Sequence, residues 1–98
     1  MNVEYVLNGI RFQWNRRKAA ANLGKHGVSF QSASQVFFDP FVRWIASEIV
    51  DGDERETLIG MTTGWELLVV VFVQRGESVH LISARGATCQ ERQTYEDQ

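Results

Sequence analysis

Apolar and polar residues alternate along the first stretch of the chain: Val3, Tyr5 and Leu7 precede Asn8 and Gly9, and Ile10, Phe12 and Trp14 follow them. Two period-two runs separated by Asn-Gly predict a β-hairpin, because both turn residues must accept positive φ. The period then lengthens. Asn15 suits an N-cap and Arg16 to Leu23 is rich in strong helix formers, so a helix should begin at Arg16. Lys25 and His26 fall in its last turn, where cations suit the helix dipole, and Gly27 supplies the left-handed residue that closes it. Ser29 is the next N-cap. Phe30, Ala33, Val36 and Phe37 recur at helical spacing until Asp39 and Pro40 stop the run.

Beyond Pro40 the pattern returns to strands. Phe41 to Val50 is rich in β-branched and aromatic residues, Asp51 to Glu54 makes an acidic turn, and Arg55 to Thr62 alternates. After a turn at Thr63 and Gly64, the run from Trp65 to Val73 is apolar on both alternating faces once past Glu66, which marks a central strand. Gln74 to Glu77 form the next loop and Val79 to Arg85 the next strand. Thr88 and Glu91 have capping-box spacing, so the tail is a short helix carrying Arg92 and Tyr95 one turn apart. Two early helices, a strand meander and a terminal helix make an α+β domain spanning residues 1–98. Phe37, Phe38, Trp44 and Trp65 are expected in its core, with an exposed Trp44 anchoring a partner as the alternative.

Composition narrows the function. With 98 residues and 44% hydrophobic content the chain supports one modest core. A net charge of -2, from 10 basic and 12 acidic residues, creates no whole-molecule field for nucleic acid, although a local group of Arg and Lys can still hold a phosphate. Cys89 is the sole cysteine, which excludes an intramolecular disulfide and a paired-cysteine metal site. With two His and no HExxH spacing, neither a metal nor another cofactor is implied. The first residues lack the flank and apolar run of a signal peptide, and no apolar stretch reaches membrane-spanning length, so a cytoplasmic protein is expected.

Six segments in order carry a family resemblance: FQWN (Phe12 to Asn15), AANLGKHGVSF (Ala20 to Phe30), VFFDP (Val36 to Pro40), Glu54-Arg55, ISAR (Ile82 to Arg85), and Glu91-Arg92 with Tyr95. Together they resemble the BrnT family of bacterial type II toxins. The resemblance implies a RelE-like fold with an antiparallel sheet, ribonuclease activity that stops translation, and neutralisation by a BrnA-like antitoxin with a ribbon-helix-helix part. DNA would then be met only through the antitoxin, and RNA would be the substrate. Asn15 stands where the family usually has Asp.

Metal-independent RNA cleavage needs a base for the 2′-hydroxyl, a donor to the leaving 5′-oxygen, and cations for the developing phosphorane charge. A free imidazole titrates at ~6.5, a range that suits proton transfer, which makes His26 a candidate base with Lys25 beside it as a cation; the same pair also reads as an ordinary capping turn. Arg85 ends its strand where a guanidinium can clamp a phosphate, or pair with Glu66 or Glu91. Arg55 is a second phosphate contact with Glu54 as a base, against the alternative of a solvated strand edge. Arg92 and Tyr95 are candidate RNA contacts, unless Tyr95 packs on the sheet. His80 reads as a hydrogen-bonded structural residue. In a simple meander Arg55 and Arg85 lie at opposite ends of the sheet, roughly 26 Å apart along eight strand residues, too far to share one phosphate. The acidic balance supports an alternative function, a non-catalytic toxin-like module acting as partner or co-repressor of a DNA-binding antitoxin.

Overall fold

A computed structural model describes residues 2–97. The hairpin forms as its pattern predicts: β1 (Asn2–Leu7) pairs antiparallel with β2 (Ile10–Asn15), with Asn8 at φ 48° and Gly9 at φ 82° in the turn. Helix α1 (Arg16–His26) starts where the Asn15 side chain accepts from the Lys18 N–H, and ends at Gly27, whose φ of 70° lets its N–H reach Leu23 O. Gly24 lies within the continuous helix. Helix α2 (Phe30–Ser34) is capped by Ser29, but the expected single helix tightens into a 3₁₀ turn over Gln35–Phe38. Strands β3 (Arg43–Val50), β4 (Asp53–Met61), β5 (Leu67–Arg75) and β6 (Ser78–Gly86) follow, then α3 (Cys89–Glu96) with the Thr88–Glu91 capping box complete.

The six strands form one sheet in the order β1-β2-β6-β5-β4-β3. It is mixed, which corrects the antiparallel expectation: β2 runs parallel to β6 over Arg11 to Gln13. The reason is topological. The helices between the hairpin and β3 carry the chain across the sheet, so the meander β3 to β6 arrives beside β2 rather than beside the outer strand. The architecture is therefore α+β, with helices that follow the first hairpin instead of opening the chain.

Pleat alternation sorts the side chains. Phe12, Trp14, Val70, Leu68, Leu81 and Ala84 point to one face and bury against Phe30, Ala33 and Val36 of the α2 region. This is the helical face. Rings meet edge-on there, with Phe12 against Phe37 at 5.2 Å and Trp14 against Phe30 at 5.7 Å between centroids, the arrangement ring quadrupoles favour. Strand β5 is apolar on both sides, as its sequence predicts, because α3 covers part of the second face, where Tyr95 and Met61 pack on Ile59, Leu67 and Val69. Two aromatic expectations fail: Trp44 is 67% exposed and Trp65 is 84% exposed. Trp44 sits on the outermost strand beyond the helical layer, and Trp65 stands in a turn at φ 63°. No helix among the described residues is long and apolar enough to cross a membrane.

Candidate functional site

Asn22 positions the first pair of candidates. It is buried in α1, and its amide donates to Ala84 O at 2.8 Å and to Val28 O at 3.0 Å while its carbonyl oxygen accepts from Ala84 N at 3.1 Å. A side chain thus takes the place of a neighbouring strand where β6 has run past its pairing with β2, satisfying backbone groups that would otherwise be buried unpaired. Lys25 and His26, exposed in the last turn of α1, follow Asn22 by three and four residues, so this bonding brings their turn toward the edge of β6 at Ala84, the residue before Arg85.

Register places the arginines. Arg55 pairs with Val73, which pairs with His80, so the three form one row on the face opposite the main helical layer. Arg85 pairs with Val69, which pairs with Ile59, putting it on that same face only four residues further along. Two strand spacings and four residues separate the arginine backbones by roughly 16 Å. That is shorter than the simple-meander expectation, because the two rows meet β5 at Val73 and Val69, four residues apart rather than eight.

Glu54 does not join them. Alternation turns it to the helical face, where Ser47 Oγ contacts it at 3.4 Å, and β4 already starts at Asp53, so the expected acidic turn shrinks to Asp51 and Gly52.

Arg85 is engaged from within. Its guanidinium meets Glu91 in a fork with contacts of 2.7 and 2.8 Å. The bond to Arg85, opposed by burial and aided by the Thr88 N–H, holds the Glu91 carboxyl down at about 2. Glu91 in turn raises the Arg85 pKa, so both groups stay charged. Arg92 is exposed and approaches Glu96 at 3.9 Å. Tyr95 packs on the sheet, and its hydroxyl donates to Asp39 at 2.5 Å. Burial and that carboxylate push the phenol up to about 12. For Asp39, burial pushes upward, but donors from Tyr95, Phe41 and Met61 together carry it below the ordinary carboxylate range.

His80 is the residue the sequence reading places differently. It is 8% exposed, and its Nδ1 is buried without a hydrogen-bond partner among the described residues, as is Arg55 Nε in the same row. Burial, with Arg75 and Lys18 nearby, lowers its pKa and favours the neutral imidazole. Its strand alternation gives its face but nothing in the sequence reveals these neighbours, which come from β5 and α1. Among the described residues no group of three or more His, Cys, Asp or Glu is placed to hold a metal ion.

The family model describing the ribonuclease toxin BrnT of type II toxin-antitoxin systems matches residues 14–91. In fold the chain is similar to the crystal structure of the ribonuclease toxin BrnT from Brucella abortus, with a TM-score of 0.60 and 24% identity, over 76% of this chain and 92% of that one. None of the curated proteins compared with the chain matches it.

Proposed function

The chain belongs to the BrnT family of ribonuclease toxins of type II toxin-antitoxin systems, and from that premise we propose that it cleaves RNA without a metal, on a RelE-like scaffold, using the sheet face that carries Arg55 and Arg85 together with the end of α1. The observation that supports this reading is the Asn22–Ala84 bonding, which couples the Lys25–His26 turn to the strand bearing Arg85.

In this mechanism the 2′-hydroxyl of the substrate attacks the adjacent phosphorus and the 5′-oxygen leaves, giving a 2′,3′-cyclic phosphate and a free 5′-hydroxyl. His26 accepts the 2′-hydroxyl proton, and the departing 5′-oxygen takes a proton from solvent water. Lys25 and Arg85 stabilise the charge that grows on the phosphoryl oxygens, where preorganised cations act most strongly. Arg55 holds a second phosphate of the same strand, and Arg92, on α3 beside Arg85, meets the backbone on the other side. Glu54 has no part, since it faces the other side of the sheet. A BrnA-like ribbon-helix-helix antitoxin neutralises the toxin and brings it to DNA indirectly.

Purified protein incubated with single-stranded RNA tests the proposal. Cleavage that falls on substituting Lys25, His26 or Arg85 with Ala, in proteins that remain folded, is the expected result; intact RNA, or cleavage indifferent to all three changes, overturns it. The Arg85–Glu91 fork favours one other reading, a non-catalytic partner of the antitoxin, because that cation is already neutralised. A folded chain that binds antitoxin yet leaves RNA and growth untouched selects it.

A further inference from the structure

Strand β3 is one edge of the sheet, and among the described residues no strand pairs with its outer side. Such an edge offers a row of unpaired donors and acceptors, and most proteins blunt it with charge, proline or a short length. Here it is eight residues long and carries Trp44 and Ile49, 67% and 70% exposed, on the helical face. Between those two side chains the row narrows to Ser47. The strand therefore has two apolar shoulders and a small gap between them.

Behind the gap lies a carboxylate. Ser47 pairs with Glu56, which is 6% exposed and lines a cleft together with Trp44, Glu54 and Phe72. Ser47 Oγ donates to Glu56 Oε1 at 2.8 Å, while Glu56 Oε2 is buried with no donor among the described residues. A buried acceptor left unpaired is costly, so the cleft calls for a donor from outside. Charge specifies which kind. Glu54 and Glu56 share the cleft, and the arginine that also lines it, Arg75, is already paired with Asp53 at 3.4 Å.

We propose that β3 is the docking edge for an extended segment of a partner protein, which adds as a further strand and passes an arginine or lysine side chain over Ser47 to the Glu56 carboxylate. Geometry suits the reach. The added strand lies two spacings, about 10 Å, from the β4 backbone, a span that a long basic side chain and a glutamate cover between them. Alternate apolar residues of that segment rest beside Trp44 and Ile49, giving the combination of main-chain pairing and side-chain pockets by which strand addition gains affinity and specificity. That the partner is the antitoxin rests on the toxin reading; the chemistry of the edge does not.

The test uses the full chain and a blocked synthetic peptide with valine, arginine and valine at alternate positions and threonine between them, so that all three share one face, with the same peptide carrying glutamate for arginine as control. Calorimetry should show binding of the basic peptide alone, with amide exchange slowed across β3. Glu56→Gln should weaken it at least tenfold. Ser47→Arg, an exposed edge change that supplies the guanidinium internally, should abolish it with the fold intact by circular dichroism. Equal binding of both peptides, no binding at millimolar concentration, unchanged affinity in Ser47→Arg, or a dimer of this chain paired through β3 that the peptide does not displace would each overturn the proposal. RNA cleavage read on the same unliganded preparations separates the two ideas: its absence removes the nuclease and leaves the docking result standing.

Discussion

Arg85 and Glu91 face one another fork to fork, with contacts of 2.7 and 2.8 Å, so the arginine proposed to grip a phosphate is held by a carboxylate six residues downstream. Substrate phosphate and Glu91 then compete for the same donors. Glu91→Gln should release the guanidinium and strengthen RNA binding several-fold. Arg85→Ala should lower cleavage about a hundredfold, the scale seen when one charge-stabilising donor is removed. Filter binding and single-turnover cleavage on one RNA check both.

The same pair predicts an acid limb of stability. The folded Glu91 carboxyl sits at about 2, below its ordinary value of 4.5, so its contribution is fully present above pH 4.5 and is lost as pH falls toward 2. Urea midpoints measured from pH 6 to pH 2 should drop across that window, and the drop should be shallower in Glu91→Gln.

Tyr95 gives the opposite sign at high pH. Its phenol is raised to about 12 from 10.0, so the Tyr95–Asp39 bond stabilises the fold below pH 10 and is lost as pH rises toward 12. Tyr95→Phe should cost about 2 kcal/mol at neutral pH, typical of a hydrogen bond to a charged group, and should remove that alkaline loss in thermal melts.

Asn22→Ala should be among the most damaging changes outside the aromatic core. It leaves both the N–H and the C=O of Ala84, and the carbonyl of Val28, without their partner. A loss of about 3 kcal/mol is expected from the unpaired groups. Denaturant unfolding measures it, and amide exchange should locate the loosening at α1 and the end of β6. If Asn22 also sets the site, cleavage falls even where the variant is fully folded.

Gly60 allows the closest packing of sheet on helix. A Cβ there would stand 2.7 Å from Val36 Cγ1 and 3.1 Å from Val36 O, and the carbonyl belongs to the 3₁₀ turn and cannot rotate away. Gly60→Ala should destabilise by about 2 kcal/mol, the usual scale of overpacking. A melting temperature equal to the parent's would refute this.

Much of the site was readable in residue order, though not its assembly. The capping chemistry of Asn15, Gly27, Ser29 and the Thr88–Glu91 box is local, involves neighbours three or four residues apart, and appears as the sequence predicts. Pairing of Arg85 with Glu91 was open as one of two choices, and only the position of α3 selects it. His80 reads as hydrogen-bonded, but its Nδ1 has no partner among the described residues, and of the cations near it Arg75 is close in sequence whereas Lys18 is brought from α1 by the fold.

By itself the sequence determined the elements, the two-sided burial of β5, the family and the identity of the charged side chains, since each follows from short-range periodicity, capping or ordered motifs. Tertiary structure decided which of those side chains share a surface: the parallel joining of β2 to β6, the Asn22 bridge, the four-residue offset between Arg55 and Arg85, and the bare β3 edge. The physical reason is that strand order and register are set by how loops close and how two faces bury together. Neither is encoded in any single window of the chain.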